Sequence, residues 1–258
     1  MLDLALAAGF AVFAWWFSTG LVLLLDGLPR RSFRWSLLVS SLIALAALFG
    51  VAETAARTDA TGAYVAFVCA LLVWGWVELS FLTGWITGPR KTAAPPGVRG
   101  WPRFVMAVQA ILWHELAILA AGVTVLALTW QAANPVAAWT FVVLWALRTS
   151  AKLNLFFGVR NLSEEFLPPH LAYLQSYFRR RAMNAFFPLS VALAGWALAE
   201  MTLAAQAADA VLRLSLTLAG TMLALAIVEH LLLVLPFRST ALWRWALAKH
   251  DEKLQHAR

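Results

Sequence analysis

The sequence predicts an all-α, polytopic integral membrane protein with about seven transmembrane helices. Hydrophobic residues make up 62% of the 258 residues and charged residues only 13%, against roughly a quarter charged in a typical soluble domain. Seven apolar runs are long enough to cross ~30 Å of hydrocarbon, which takes about 20 helical residues. A single cysteine, Cys69, excludes an internal disulfide. Residues 1–258 are therefore predicted to form one transmembrane domain held by helix packing.

Each predicted span ends at helix-breaking or polar residues. The spans are expected at about 3–25, 36–56, 64–87, 104–130, 136–157, 183–206 and 211–235. Their ends are marked by Gly27-Leu28-Pro29, Asp59 to Gly62, Gly88-Pro89 with Pro95-Pro96, Asn134-Pro135, and Pro236. The start of the chain lacks a basic n-region, so the first run is predicted to be a retained helix.

Basic residues fall on alternate loops. Sixteen of the twenty lysines and arginines follow the first, third, fifth or seventh span, and only Arg57 and Arg213 lie on the other side. Because cytoplasmic loops carry the excess of basic residues, the N-terminus is predicted outside and the tail, 237–258, in the cytoplasm. Five tryptophans near span ends are expected at the membrane interface, namely Trp35, Trp85, Trp101, Trp130 and Trp243.

Between the fifth and sixth spans, a cytoplasmic interfacial amphipathic helix is predicted at about 166–181. Pro168-Pro169 suit its first turn. Apolar residues recur every three or four positions and three arginines end the segment, a pattern typical of a helix lying on a membrane surface. The residues predicted to dock a client protein or lipid are Leu167, Leu171, Leu174, Phe178, Arg179, Arg180 and Arg181.

Polar residues inside the spans form a predicted polar cluster. Its members are Glu78, His114, Glu115, Arg148, Lys152, Asn154, Glu229 and His230. At ~1.5 Å per residue, the charged members fall between mid-membrane and the cytoplasmic face. Because an unpartnered charge in hydrocarbon costs several kcal/mol, Arg148 is expected to pair with Glu115 or, second, Glu229. The cluster is predicted to line one interior cavity; a structural ion-pair network without a ligand is the alternative.

The two histidines are candidate ligands of a cofactor. A neutral imidazole at His114 or His230 can ligate the magnesium of a chlorin or the iron of a haem, whereas a hydrogen-bonded interior histidine is the alternative. A composite metal site, with one imidazole and one carboxylate from each of His114-Glu115 and Glu229-His230, also stays open. A retinal protein is disfavoured because the seventh span has no lysine, and the paired broken helices of many transporters are not evident.

The central part of the chain carries recognisable motifs. They are Trp113-His114-Glu115-Leu116, then 144–154 (LWALRTSAKLN), then Asn161-Leu162 with Glu165-Phe166-Leu167-Pro168, and Met183-Asn184. With Gly88-Pro89-Arg90, they resemble the photosynthetic complex assembly protein 2 family, of the PuhE type, in which proline is expected more often at the position of Arg160. The resemblance implies a cytoplasmic-membrane protein of anoxygenic phototrophic bacteria, concerned with assembling reaction-centre and light-harvesting complexes or with bacteriochlorophyll supply. It implies no catalytic residues.

Two functional hypotheses follow. The first is an assembly factor that holds a nascent photosynthetic complex, or passes on bacteriochlorophyll or a precursor, in contact with the lipid bilayer and with complex subunits or pigment-biosynthesis proteins. The second is an intramembrane enzyme, or enzyme subunit, acting on a tetrapyrrole or lipid in the polar cavity. The first is favoured, because no nucleophile with a base, phosphate loop or strong metal signature is present. Transport remains a third class, and nucleic acid is not expected as a partner, since orientation explains the net charge of +7.

Overall fold

The computed structural model describes residues 2–236 together with 242, 243, 245 and 246. This part of the chain contains seven α-helices that are long and apolar enough to cross a membrane, which confirms the all-α class and the number of spans. They are α1 Leu2–Asp26, α2 Phe33–Thr54, α3 Ala60–Leu82, α4 Gly100–Leu128, α5 Val136–Phe157, α6 Phe186–Ala207 and α7 Ala210–Val234. The orientation of the termini stays a prediction, and most of the predicted tail, 237–258, lies outside the described residues.

The third span differs most from the predicted bounds. The apolar run continues to residue 87, but α3 ends at Leu82. Gly84 has φ +81°, a left-handed conformation through which a right-handed helix cannot continue. The following residues therefore leave the helix and pack against α4.

Helix α3 forms the centre of the bundle and is the most buried of the seven. It contacts α1, α2, α4, α5 and α7, whereas α6 packs mainly on α7. Small residues let neighbouring backbones approach: a Cβ added at Gly50 of α2 would lie 2.6 Å from Cys69 Sγ of α3. Cys69 therefore fills a close helix contact, as a small buried residue.

A layer of loops, residues 83–99 and 158–185, covers one end of the bundle, and here the predicted interfacial α-helix at 166–181 is wrong. The segment instead contains a 3₁₀ helix, Pro169–Tyr177, which does begin at the predicted proline pair. Its buried residues are Leu171, Leu174 and Tyr177, spaced by the three residues of one 3₁₀ turn. They pack inside the protein, against Leu82 of α3 among others.

The apolar side chains predicted to dock a client protein or lipid are buried or half-buried. Leu171 and Leu174 are only 2% and 5% exposed, and Leu167 and Phe178 are half-buried. The three arginines are exposed, but they follow the 3₁₀ helix as an extended segment rather than ending an α-helix. The N–H of Val159 donates to the carbonyl of Arg179 at 3.1 Å, and the N–H of Arg181 donates back to Val159 at 3.0 Å.

Tyr177 explains why this segment is drawn into the protein. Its hydroxyl accepts a hydrogen bond from Nε of Arg90 at 2.6 Å and donates to the Thr92 carbonyl at 3.0 Å. Arg103 at the start of α4 donates to the Tyr177 carbonyl at 2.6 Å. The hydroxyl of Tyr173 faces Thr87 without hydrogen-bonding geometry, and burial raises the pKa of Tyr173. Tyr177 is therefore the polar anchor of the loop layer.

Trp243 also differs from its predicted interfacial position. The other four tryptophans at span ends are 59–78% exposed, but Trp243 is 5% exposed. Its indole N–H donates to the carbonyl of Trp16 at 3.1 Å, and its ring lies edge-on to Trp15 at 5.3 Å. Trp243, which follows α7, therefore packs against the middle of α1.

Candidate functional site

All eight residues of the polar cluster lie on four helices that meet in the bundle. Glu78 is on α3, His114 and Glu115 on α4, Arg148, Lys152 and Asn154 on α5, and Glu229 and His230 on α7. At 1.5 Å per residue, Arg148 lies about 14 Å from the end of α5 and Glu229 about 8 Å from the end of α7. The charged residues are thus inside spanning helices.

Two ion pairs link α5 to its neighbours. Nη2 of Arg148 lies 3.1 Å from Oε2 of Glu78, and Nζ of Lys152 lies 2.6 Å from Oε1 of Glu115. The expectation that Arg148 pairs with Glu115 or Glu229 is therefore wrong. The reason is that α5 packs against both α3 and α4. The two cations, on successive turns of one face of α5, therefore each form an ion pair with a different helix.

Glu229 is left without an ion pair among the described residues. It is exposed, lies beside Trp15 of α1, and interacts electrostatically with Arg148 and Glu78. The Arg148 side chain is itself 44% exposed. When all are ionised, the three carboxylates and two cations carry one excess negative charge, and this excess lies at the accessible side of the cluster.

His114 is fully enclosed. It is 0% exposed, and neither ring nitrogen has a hydrogen-bond partner in the described part of the chain. Its ring stacks on Phe81, with 4.3 Å between the centroids. It also interacts electrostatically with Glu78, whose Oε1 has no hydrogen-bond partner within the described ranges. A flat macrocycle has no access to this imidazole without displacement of the surrounding side chains.

His230 is a hydrogen-bonded interior residue. Its Nδ1 lies 2.8 Å from the Ala226 carbonyl and its Nε2 lies 2.9 Å from Oγ of Ser150. Both ring nitrogens are thus engaged, which leaves no free lone pair for a metal. Among the described residues, no group of three or more histidine, cysteine or carboxylate side chains is placed to hold a metal ion.

Asn154 belongs to a separate hydrogen-bond network. Its amide donates to Ser150 and to Oγ of Ser190 on α6, and its Oδ1 accepts from Nδ2 of Asn184 at 3.0 Å. The Asn184 side chain in turn accepts from the N–H groups of Phe186 and Phe187, which caps the start of α6. Asn154 therefore ties α5 to α6 and does not face the charges.

The loop layer reaches the cluster through backbone contacts that could not be predicted directly from the sequence. The N–H of His114 donates to the Thr87 carbonyl at 2.9 Å, and the N–H of Arg90 donates to the Gln109 carbonyl at 3.3 Å. A Cβ added at Gly88 would lie 2.1 Å from the Gln109 oxygen, so only glycine fits there. The nearest available signal was the Gly88-Pro89-Arg90 motif itself.

The chain matches a protein family and is similar to a bacterial protein. Residues 1–254 match the family described as "Protein of unknown function (DUF3623)". A protein of Rhodobacter capsulatus, described as an uncharacterized 30.4 kDa protein in the puhA 5′ region, is 38% identical over 246 residues, which cover 93% of this chain and 90% of that protein. No solved structure matches the chain.

Proposed function

The chain belongs to the DUF3623 family, and from that premise we propose that it is a membrane-embedded assembly factor for bacterial photosynthetic complexes. The Rhodobacter capsulatus relative supports this, because its gene region is a photosynthesis gene cluster and its source is a phototrophic bacterium. The factor acts in the cytoplasmic membrane, where it holds a nascent reaction-centre or light-harvesting subunit, or hands over bacteriochlorophyll or a precursor.

The observation that carries the proposal is the exposed carboxyl of Glu229, which has no ion pair among the described residues. Glu229 lies within a spanning helix, where an ionised side chain is expensive unless it meets a partner. A client transmembrane helix with a basic or hydrogen-bond-donating side chain supplies that partner, because polar side chains link helices inside membranes. The Glu229 carboxyl, which accepts hydrogen bonds and repels another carboxylate when ionised, favours such a donor over an acidic client.

The enzymatic alternative has less support. A reaction in the polar cluster needs a group that can reach its substrate, but His114 is enclosed and both nitrogens of His230 are engaged. The lysine of the cluster is held by Glu115 at 2.6 Å. Docking at Glu229 requires no such rearrangement.

Site-specific photocrosslinking in the phototrophic host tests the proposal. A crosslinking residue at Val228, which is 51% exposed beside Glu229, is expected to capture a subunit of a photosynthetic complex. The matched control is Leu203 on α6, which is 59% exposed and lies about 26 Å along α6 from the start of that helix, whereas Glu229 lies about 8 Å from the end of α7. In Glu229→Gln, the Val228 crosslink and the yield of the complexes should fall at unchanged level of this protein. Equal capture at both positions, or normal complexes in the variant, would contradict the assignment.

A further inference from the structure

A groove of about 470 Å³ opens between the start of α2 and the segment that follows α3. Its walls are formed by Arg34, Trp35, Leu37, Leu38, Ser41 and Trp85. Most of these side chains are apolar, and Arg34 provides the cation at its edge. The groove shares no residue with the polar cluster, so its occupant is independent of the proposed client.

The end of the groove is strongly cationic. The guanidinium carbon of Arg34 lies 5.4 Å from the ring centroid of Trp35, which holds the cation over the indole. Arg30 and Arg31 precede it in a short 3₁₀ helix and are exposed. None of the three arginines forms an ion pair in the described part of the chain. This end therefore attracts an anion.

The other end of the groove leads onto an apolar stripe. Leu38, Leu42 and Leu45 recur on one face of α2 and are 51%, 59% and 63% exposed. Between the arginine and this stripe stand Trp35 and Trp85, 59% and 69% exposed, and indoles prefer the boundary between headgroups and hydrocarbon. Along about 17 Å of helix, from Arg34 to Leu45, the surface changes from cationic to amphipathic to apolar.

We propose that this groove binds one anionic phospholipid. Its phosphate contacts Arg34, its glycerol region lies between the two indoles, and an acyl chain follows Leu38 and the leucines beyond it. The order of the three surfaces matches the order of the three parts of the lipid. A client peptide would need its acidic and apolar residues in the same order and at the same depth in the interface.

Native mass spectrometry of the full chain in a non-ionic detergent tests the proposal. The protein is incubated with phosphatidylglycerol or with phosphatidylcholine, and the bound lipid is counted. The wild type should retain one phosphatidylglycerol in preference to phosphatidylcholine. Arg34→Gln should lower this retention about fivefold, the effect of one basic residue at an anionic lipid surface, while Arg34→Lys should retain most of it.

The matched control is Arg99→Gln, because Arg99 is an exposed arginine on the same predicted side and outside the groove. Equal losses in Arg34→Gln and Arg99→Gln, or equal retention of both lipids by the wild type, would overturn the proposal. If Arg34→Gln does not fold, Trp85→Ser is measured instead and should also lower retention. Unchanged lipid retention in Trp85→Ser would refute the lipid site. Excess inorganic phosphate should not displace the lipid, and displacement would refute the lipid site in favour of a phosphate site.

Discussion

Replacement of Arg148 by alanine should destabilise the bundle measurably. The change leaves Glu78 without its counter-charge. The Glu78 side chain is 11% exposed, and its Oε1 has no hydrogen-bond partner among the described residues. Breaking a fully buried pair costs about 3–5 kcal/mol; because Arg148 is 44% exposed, we expect about 2–3 kcal/mol. In a chain of this length, 1 kcal/mol corresponds to about 2–4 °C in Tm. The Tm in detergent, followed by size-exclusion chromatography after heating, should therefore fall on the order of 5–10 °C.

A double-mutant cycle identifies the partner. Glu78→Gln removes the stranded charge, so it should be less harmful in the Arg148→Ala background than alone, with a coupling of about 1 kcal/mol or more. Glu115→Gln should combine more nearly additively with Arg148→Ala, since Glu115 pairs with Lys152. Arg160→Ala, at an exposed arginine, controls for loss of charge alone. Strict additivity of Arg148→Ala and Glu78→Gln would refute the reasoning.

Four further predictions address the orientation, the loop layer and the packing. A C-terminal reporter that is active only in the cytoplasm should work, and activity of an outside-only reporter would reverse the orientation. Gly88→Ala should lower the free energy of unfolding by on the order of 3 kcal/mol, because its Cβ meets a backbone oxygen at 2.1 Å. The control Gly195→Ala, at a position with open space around it, should be neutral or stabilising by up to about 1 kcal/mol. Similar Tm values for the two variants would disprove the close contact. Tyr177→Phe should cost about 1–3 kcal/mol and Tyr173→Phe close to nothing, and the reverse order in thermal unfolding would show that the anchor is misassigned. Cysteine labelling across 166–178 with a water-soluble reagent, in a cysteine-free background, should give protection from labelling at every third residue. A repeat of protection near 3.6 residues would show that the segment is an α-helix instead.

The number and the class of the helices were predictable because hydropathy measures the free energy of transferring a whole run of residues into hydrocarbon. The end of α3 was not predictable in this way, because hydropathy averaged over many residues does not detect the positive φ of the single residue Gly84. The 3₁₀ helix was missed for a related reason: Leu171 and Leu174 are three residues apart in either helix type. The residue that distinguishes them is Tyr177, which is buried where an α-helical stripe would bury Phe178.

For the candidate site, the depth of each polar residue along its span correctly predicted which helices carry the cluster, but it did not predict the ion-pair partners. Partner choice depends on the rotation of each helix about its axis, and Arg148 reaches Glu78 because α5 packs against α3 as well as against α4. The hydrogen bond of His230 to Ser150 was missed as well. Serine is too common in helices for its hydroxyl to identify a partner from sequence alone.

The contact between Thr87 and His114 makes the exchange rate of one amide informative. The N–H of His114 is held by a carbonyl of the loop layer, and the next residue, Glu115, holds Lys152. If the loop lifts away from α4, this amide loses its acceptor at Thr87, and its hydrogen exchange is expected to rise. Exchange at His114 is therefore a measurable signal of whether opening of the loop layer reaches the residue next to Glu115.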